Sequence, residues 1–212
     1  MRILRAFAVV ATLLPASVAP ALAHVPDGAS FVAAFREACV PQRLSYDGMR
    51  ELAGSLGWQP AVPGSSGELS AVFALADEAL AKGAGADWSY DRSAFGRILA
   101  GKLHHLVVTR VRAPGAATVT SCALYDFGAT EGIDPAHVAG LVGAPETRHF
   151  VNHGLDAHSW GASPALPGMF QTVLTFVAEN SPHVDLTGFS GLVLKIDSTD
   201  PDADAAGSHA TD

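Results

Sequence analysis

Positive charge is scarce in this sequence: 13 Lys and Arg stand against 21 Asp and Glu, for a formal net charge of −8. No basic stripe is left over to follow a phosphate backbone, which argues against nucleic acid as a partner. The same imbalance argues against anionic lipid surfaces. Cysteine is scarce as well, with only Cys39 and Cys122, and no Cys-x-x-Cys spacing exists to tune a redox dithiol. Long apolar runs are missing. The best stretch, residues 6–14, stops at Pro15, well short of the roughly 20 residues a membrane span needs, so no stable membrane insertion is expected. Nucleotide-binding motifs are missing too: Gly96 stands five residues before Gly101-Lys102, but Leu103 follows where the phosphate loop requires Ser or Thr. In GFSG, residues 188–191, the next residue is Leu192 where a nucleophile elbow requires glycine. No catalytic motif stands out, and the chain reads as a binding or interaction domain rather than an enzyme.

What is present begins with an export pattern. Arg2 and Arg5 precede the apolar run, and small residues lead to Ala21-Leu22-Ala23. A charged start, an apolar middle and a small-x-small end make residues 1–23 a cleaved secretory signal peptide. The expected cut falls between Ala23 and His24, and a cut after Ala21 also fits. Neither cut exposes a cysteine for lipid attachment. The expectation is a soluble protein of the periplasm or the secreted fraction. In such an oxidising compartment two cysteines allow one intramolecular pairing, so Cys39 and Cys122 are expected to form a disulfide.

The rest divides into a single domain, residues 24–196, and a tail, residues 197–212. Phe31, Ala34, Phe35, Ala38 and Cys39 recur at helical spacing up to Pro41. Ser45 can cap a second helix striped by Met49, Leu52, Ala53 and Leu56, with Gly57 as its stop. Leu69, Val72, Phe73, Ala76 and Leu80 make a third apolar stripe. From residue 102 the pattern changes to strands: 102–112 and 118–127 as a hairpin, then 148–153, 170–177 and 192–196, with a short helix opening at Asp134-Pro135. Helices first and strands mostly later predict an α+β fold, with N-terminal helices, a mostly antiparallel sheet, one further short helix and one disulfide. The tail carries Asp197, Asp200, Asp202, Asp204 and Asp212 with no large apolar side chain, and is expected to be disordered.

The helix FVAAFREACV, the Gly57-Trp58 pair after the second helix and the second cysteine in SCALYDF resemble a group of uncharacterised exported two-cysteine bacterial proteins. The resemblance covers roughly residues 30 to 143. It implies a two-cysteine α+β protein of the cell envelope and carries no activity with it.

Histidine is the residue type that points to chemistry. His149, His153 and His158 crowd into RHFVNHGLDAHSWG. In an extended segment His149 and His153 share a face, and a bend at Gly154 returns His158 beside them. Converging neutral imidazoles suit zinc or copper, with Asp156 as a further ligand or acceptor. His24 would open the mature chain, where its amine and imidazole together can brace a copper ion. His158, His153 or His105 would then supply the remaining nitrogen. Two functional readings result. In one, the protein binds another envelope protein, a glycan or a small molecule through its sheet and uses no cofactor. In the other, it binds copper or zinc through these histidines.

Overall fold

The computed structural model describes residues 23–62, 64, 66–83 and 88–199. Apart from Ala23, the expected signal segment lies outside them, as does the acidic tail from residue 200 onward. The elements run α1 (Gly28–Cys39), α2 (Tyr46–Ser55), β1 (Gln59–Pro60), α3 (Gly67–Gly83), β2 (Ser89–Leu99), β3 (Lys102–Arg112), β4 (Val119–Asp126), α4 (Ala136–Val142), β5 (Arg148–Asn152), β6 (Leu155–Gly161), β7 (Met169–Val177), α5 (Val184–Thr187) and β8 (Gly191–Thr199). The strands form one antiparallel sheet ordered β1-β2-β3-β4-β8-β7-β6-β5. The α+β expectation holds, disulfide included.

Local chemistry sets the helix ends. Asp27 caps α1 by accepting the Ala29 N–H at 3.2 Å, and Ser45 caps α2 by accepting the Gly48 N–H at 3.0 Å. Each satisfies an amide that the helix itself leaves unpaired. The apolar stripe of α1 buries Phe31, Val32, Phe35, Ala38 and Cys39. This stripe packs with α2 and α4 over one face of the sheet, onto Leu106, Val108, Leu124, Leu174, Leu192, Leu194 and Ile196. The opposite face carries α3 and α5 over Val107, Ala123, Phe127, Val177 and Val193. Side chains alternate between these faces along every strand. At the end of α1, Cys39 bonds Cys122 of β4 across 83 residues, and both are fully buried. Closing a loop of that length contributes about 4.5 kcal/mol in the chain-entropy account.

The structure departs from the sequence reading in several places, among them the two-residue β1 and a second short helix, α5, where one was expected. Strands β2 and β6 also have no counterpart in that reading. Both belong to hairpins closed by two-residue turns, Ala100-Gly101 and His153-Gly154, in which all four residues have positive φ. Mirror-image turns of that kind match the twist of the flanking strands. Strand β8 also continues through Asp197, Ser198 and Thr199, so pairing runs past the expected domain end at residue 196. Asp197 is buried there and accepts the Ser121 hydroxyl.

Candidate functional site

Strand register assembles a polar group on the α1 side of the sheet. Arg97 of β2 pairs with His104 of β3. His105 pairs with Tyr125 of β4, so one step further along the ladder His104 stands opposite Asp126. The parity of β4 then puts Asp126 on the same face as Cys122 and Leu124, and all three are fully buried. His24 reaches this spot from the segment leading into α1. Its backbone N–H donates to the Gly128 carbonyl at 2.9 Å, and its carbonyl accepts the Thr130 N–H at 2.9 Å. Gly191, with φ of +103°, allows the close approach. A Cβ at this position would overlap the Asp126 carbonyl oxygen.

Two imidazoles therefore converge on one carboxylate oxygen. His24 Nε2 lies 2.9 Å and His104 Nε2 3.4 Å from Asp126 Oδ2. The other oxygen, Oδ1, accepts the Gly128 N–H at 3.2 Å. Oδ2 is buried and takes no hydrogen bond of normal geometry among the described residues. His104 Nδ1 is 3.1 Å from the Lys102 carbonyl. A carbonyl only accepts, which assigns the ring hydrogen to Nδ1 and leaves Nε2 as the lone-pair nitrogen of the neutral ring. Nε2 is thereby turned toward the buried Asp126 Oδ2, and either a second ring proton or a bound cation between them would satisfy both atoms.

The geometry suits a metal ion. Ligands about 2.0–2.1 Å from a tetrahedral zinc stand roughly 3.3 Å apart, close to the separations seen here. The two rings are inclined at 63° rather than stacked. A ring hydrogen given to a backbone carbonyl is also the usual way a ligating histidine is held in orientation. His24, His104 and Asp126 supply two nitrogens and one oxygen within 4.8 Å of one another. Three protein ligands with the remaining position open to a pocket is the pattern of an accessible zinc site.

A second group gathers on the same face at the far edge of the sheet. His149 pairs directly with His158, as the bend at Gly154 requires. His149 Nε2 lies 2.8 Å and His158 Nε2 3.2 Å from Asp156 Oδ1, and His158 Nδ1 lies 3.0 Å from Glu146 Oε1. The rings stack, with centroids 4.1 Å apart and planes at 12°. Stacked planes favour a shared ion less than converging ones do, although Glu146, His149 and His158 also bring ligand atoms within 4.8 Å of one another. This group reads as a hydrogen-bonded clasp on β5 and β6.

The remaining histidines fall elsewhere. His153 is exposed in the β5–β6 turn at φ +41°, because the chain reverses there, so it does not share a face with His149. His105 is buried on the opposite face against the Phe127 ring, and burial holds its imidazole below the ordinary range. None of His105, His153 and His158 can join His24. Three strands separate β3 from β6, which places His158 roughly 20 Å away at about 4.8 Å per strand step. In the uncleaved chain His24 carries a peptide amide rather than the amine a brace would use. Its backbone nitrogen is engaged on Gly128, and the ring atom turned to the acid is Nε2, the nitrogen farther from the backbone.

The sequence reading missed His104 and Asp126. A signal for Asp126 existed: once Cys122 faces inward to meet Cys39, alternation carries Asp126 inward too. No family model matches the chain, and no curated protein or solved structure matches it at a significant level.

Proposed function

We propose that this is an exported protein that binds a divalent transition metal, zinc by preference, through His24, His104 and Asp126. The observation that carries the reading is the convergence of two imidazole Nε2 atoms on the buried Asp126 Oδ2, which lacks a hydrogen bond of normal geometry among the described residues. Mixed nitrogen and oxygen donors at near-tetrahedral spacing suit zinc, and copper, which the affinity order ranks above zinc, is the other candidate. The Cys39–Cys122 disulfide agrees with an oxidising, extracytoplasmic setting. No helix among the described residues is long and apolar enough to cross a membrane. With cleavage after Ala23, His24 becomes the first residue of the working protein.

The test is calorimetric titration of zinc into chelator-treated protein. Wild type takes up one equivalent, and His104→Ala loses most of that affinity with its disulfide and circular dichroism unchanged. His149→Ala binds zinc like wild type. Failure of wild type to bind zinc or copper would refute the reading. Loss of binding in His149→Ala alone would move the site to the edge clasp.

A further inference from the structure

A pocket of about 560 Å³ opens directly over the three proposed ligands, which form part of its wall. Two cations, Arg97 and Lys102, also line it. Both are half-buried, and neither has an acid partner among the described residues, although acids outnumber bases along the chain. Their placement follows from the ladder. Arg97 is the cross-strand neighbour of His104, and Lys102, two residues before His104, faces the same way. The Arg97 guanidinium carbon stands 5.9 Å over the buried Trp58 ring, a contact that favours keeping this cation in place. Asp27 is the other acid in the pocket besides Asp126. It is turned to its own helix, taking the Ala29 N–H at 3.2 Å and the Ser30 hydroxyl at 2.7 Å. A dication bound at His24, His104 and Asp126 therefore leaves the pocket net positive. Val25 and Ile98, both largely exposed, give the opening an apolar rim.

We propose that this pocket receives an oxyanion, a carboxylate or phosphate group. One oxygen would occupy the open coordination position of the metal, and the others would be held by Arg97 and Lys102. The proposal rests on the metal reading for that open position. The cations supply the rest: a guanidinium offers paired donors to a planar carboxylate or to two phosphate oxygens, and an ammonium adds a point charge. Both cations are half-buried, so each counts for more than it would on an open surface.

The experiment titrates inorganic phosphate and, separately, benzoate into zinc-loaded wild type and into the Arg97→Gln/Lys102→Gln variant, with zinc affinity measured for both. The expected result is unchanged zinc affinity in the variant and a loss of anion affinity by about tenfold or more. Preference for benzoate would identify an organic carboxylate that uses the apolar rim, and preference for phosphate a phosphorylated ligand. Equal anion affinity in both proteins, or no binding of either probe to zinc-loaded wild type, would overturn the proposal. If wild type takes up no zinc, the metal reading fails by itself, and the same titrations on metal-free protein decide this one. Binding that disappears in the variant would sustain the anion site, and no binding would end it.

Discussion

Replacing Asp126 by Asn separates the fold from the site. The side chain is fully buried, and Asn has nearly its shape. The retained Oδ1 still accepts the Gly128 N–H, and the new amide can donate to the lone pair on His104 Nε2 that the carboxylate can only oppose. Metal-free Asp126→Asn is therefore expected to melt within a few degrees of wild type, a change of about 1 kcal/mol or less. Metal reverses the comparison. At free zinc one hundred times the dissociation constant, wild type gains about 2.7 kcal/mol, which for a domain of this size raises Tm by roughly 5–11 °C. The variant has lost its anionic ligand and should gain little at the same concentration. Differential scanning calorimetry on chelator-treated samples, with and without zinc, measures both. Equal zinc-induced shifts in the two proteins would show that the ion sits elsewhere. A large fall in the Tm of the metal-free variant would show that the Asp126 charge stabilises the fold without any ion, refuting the account of Oδ2.

Other perturbations probe the frame around the site. Gly191→Ala forces a Cβ against the Asp126 carbonyl at a φ that L side chains rarely adopt, and should cost about 2 kcal/mol or more together with zinc affinity. Unchanged unfolding and titration curves would refute that. Replacing Cys39 and Cys122 by Ala should lower stability by up to about 4.5 kcal/mol, read as an earlier urea midpoint that reductant no longer moves. His105 supplies a pH test. Its folded-state pKa is depressed by burial, so as pH falls below the ordinary imidazole value of about 6.5 the unfolded chain takes up a proton that the folded chain refuses. The stability this group lends above that pH is lost as pH drops toward its folded-state value. His105→Phe should flatten the fall in urea midpoint as pH drops below about 6.5, and an equally steep fall in the variant would exonerate His105.

The parts of the fold that could be read from the sequence were those with dense local signals. Apolar stripes marked α1 and α2, the latter with Ser45 as its cap, and alternating β-rich stretches on either side of a turn marked β3 and β4. Strands β2 and β6 escaped because their hairpins turn at Ala100-Gly101 and His153-Gly154 rather than at the Asn-Gly or Asp-Gly pairs that announce such turns. Missing β2 hid Arg97 as a neighbour of His104. The site was harder still, because its three proposed ligands lie far apart in sequence and meet only through register and through an N-terminal segment clamped between Gly128 and Thr130. His104 and His105 sit side by side with equally apolar flanks, and alternation alone does not say which of the two faces α1. The crowded histidines near residue 150 drew notice because they are close in sequence, yet their stacked rings are the less suitable pair.

The last strand has a consequence for how the molecule is made. β8 is the seam of the sheet: it alone joins β1–β4 to β5–β7, and it is also the final described stretch of the chain. Until that stretch is available, the N-terminal meander can pair internally and close its disulfide, since α1 and β4 both precede residue 127, while the C-terminal meander has no central strand to lean on. Assembly of the full sheet must therefore wait for β8. This built-in delay keeps the sheet open until residues 191–199 pair on both sides. It also keeps Asp126 incompletely caged until Gly191 settles against it, so the site would be finished only after the whole domain has arrived.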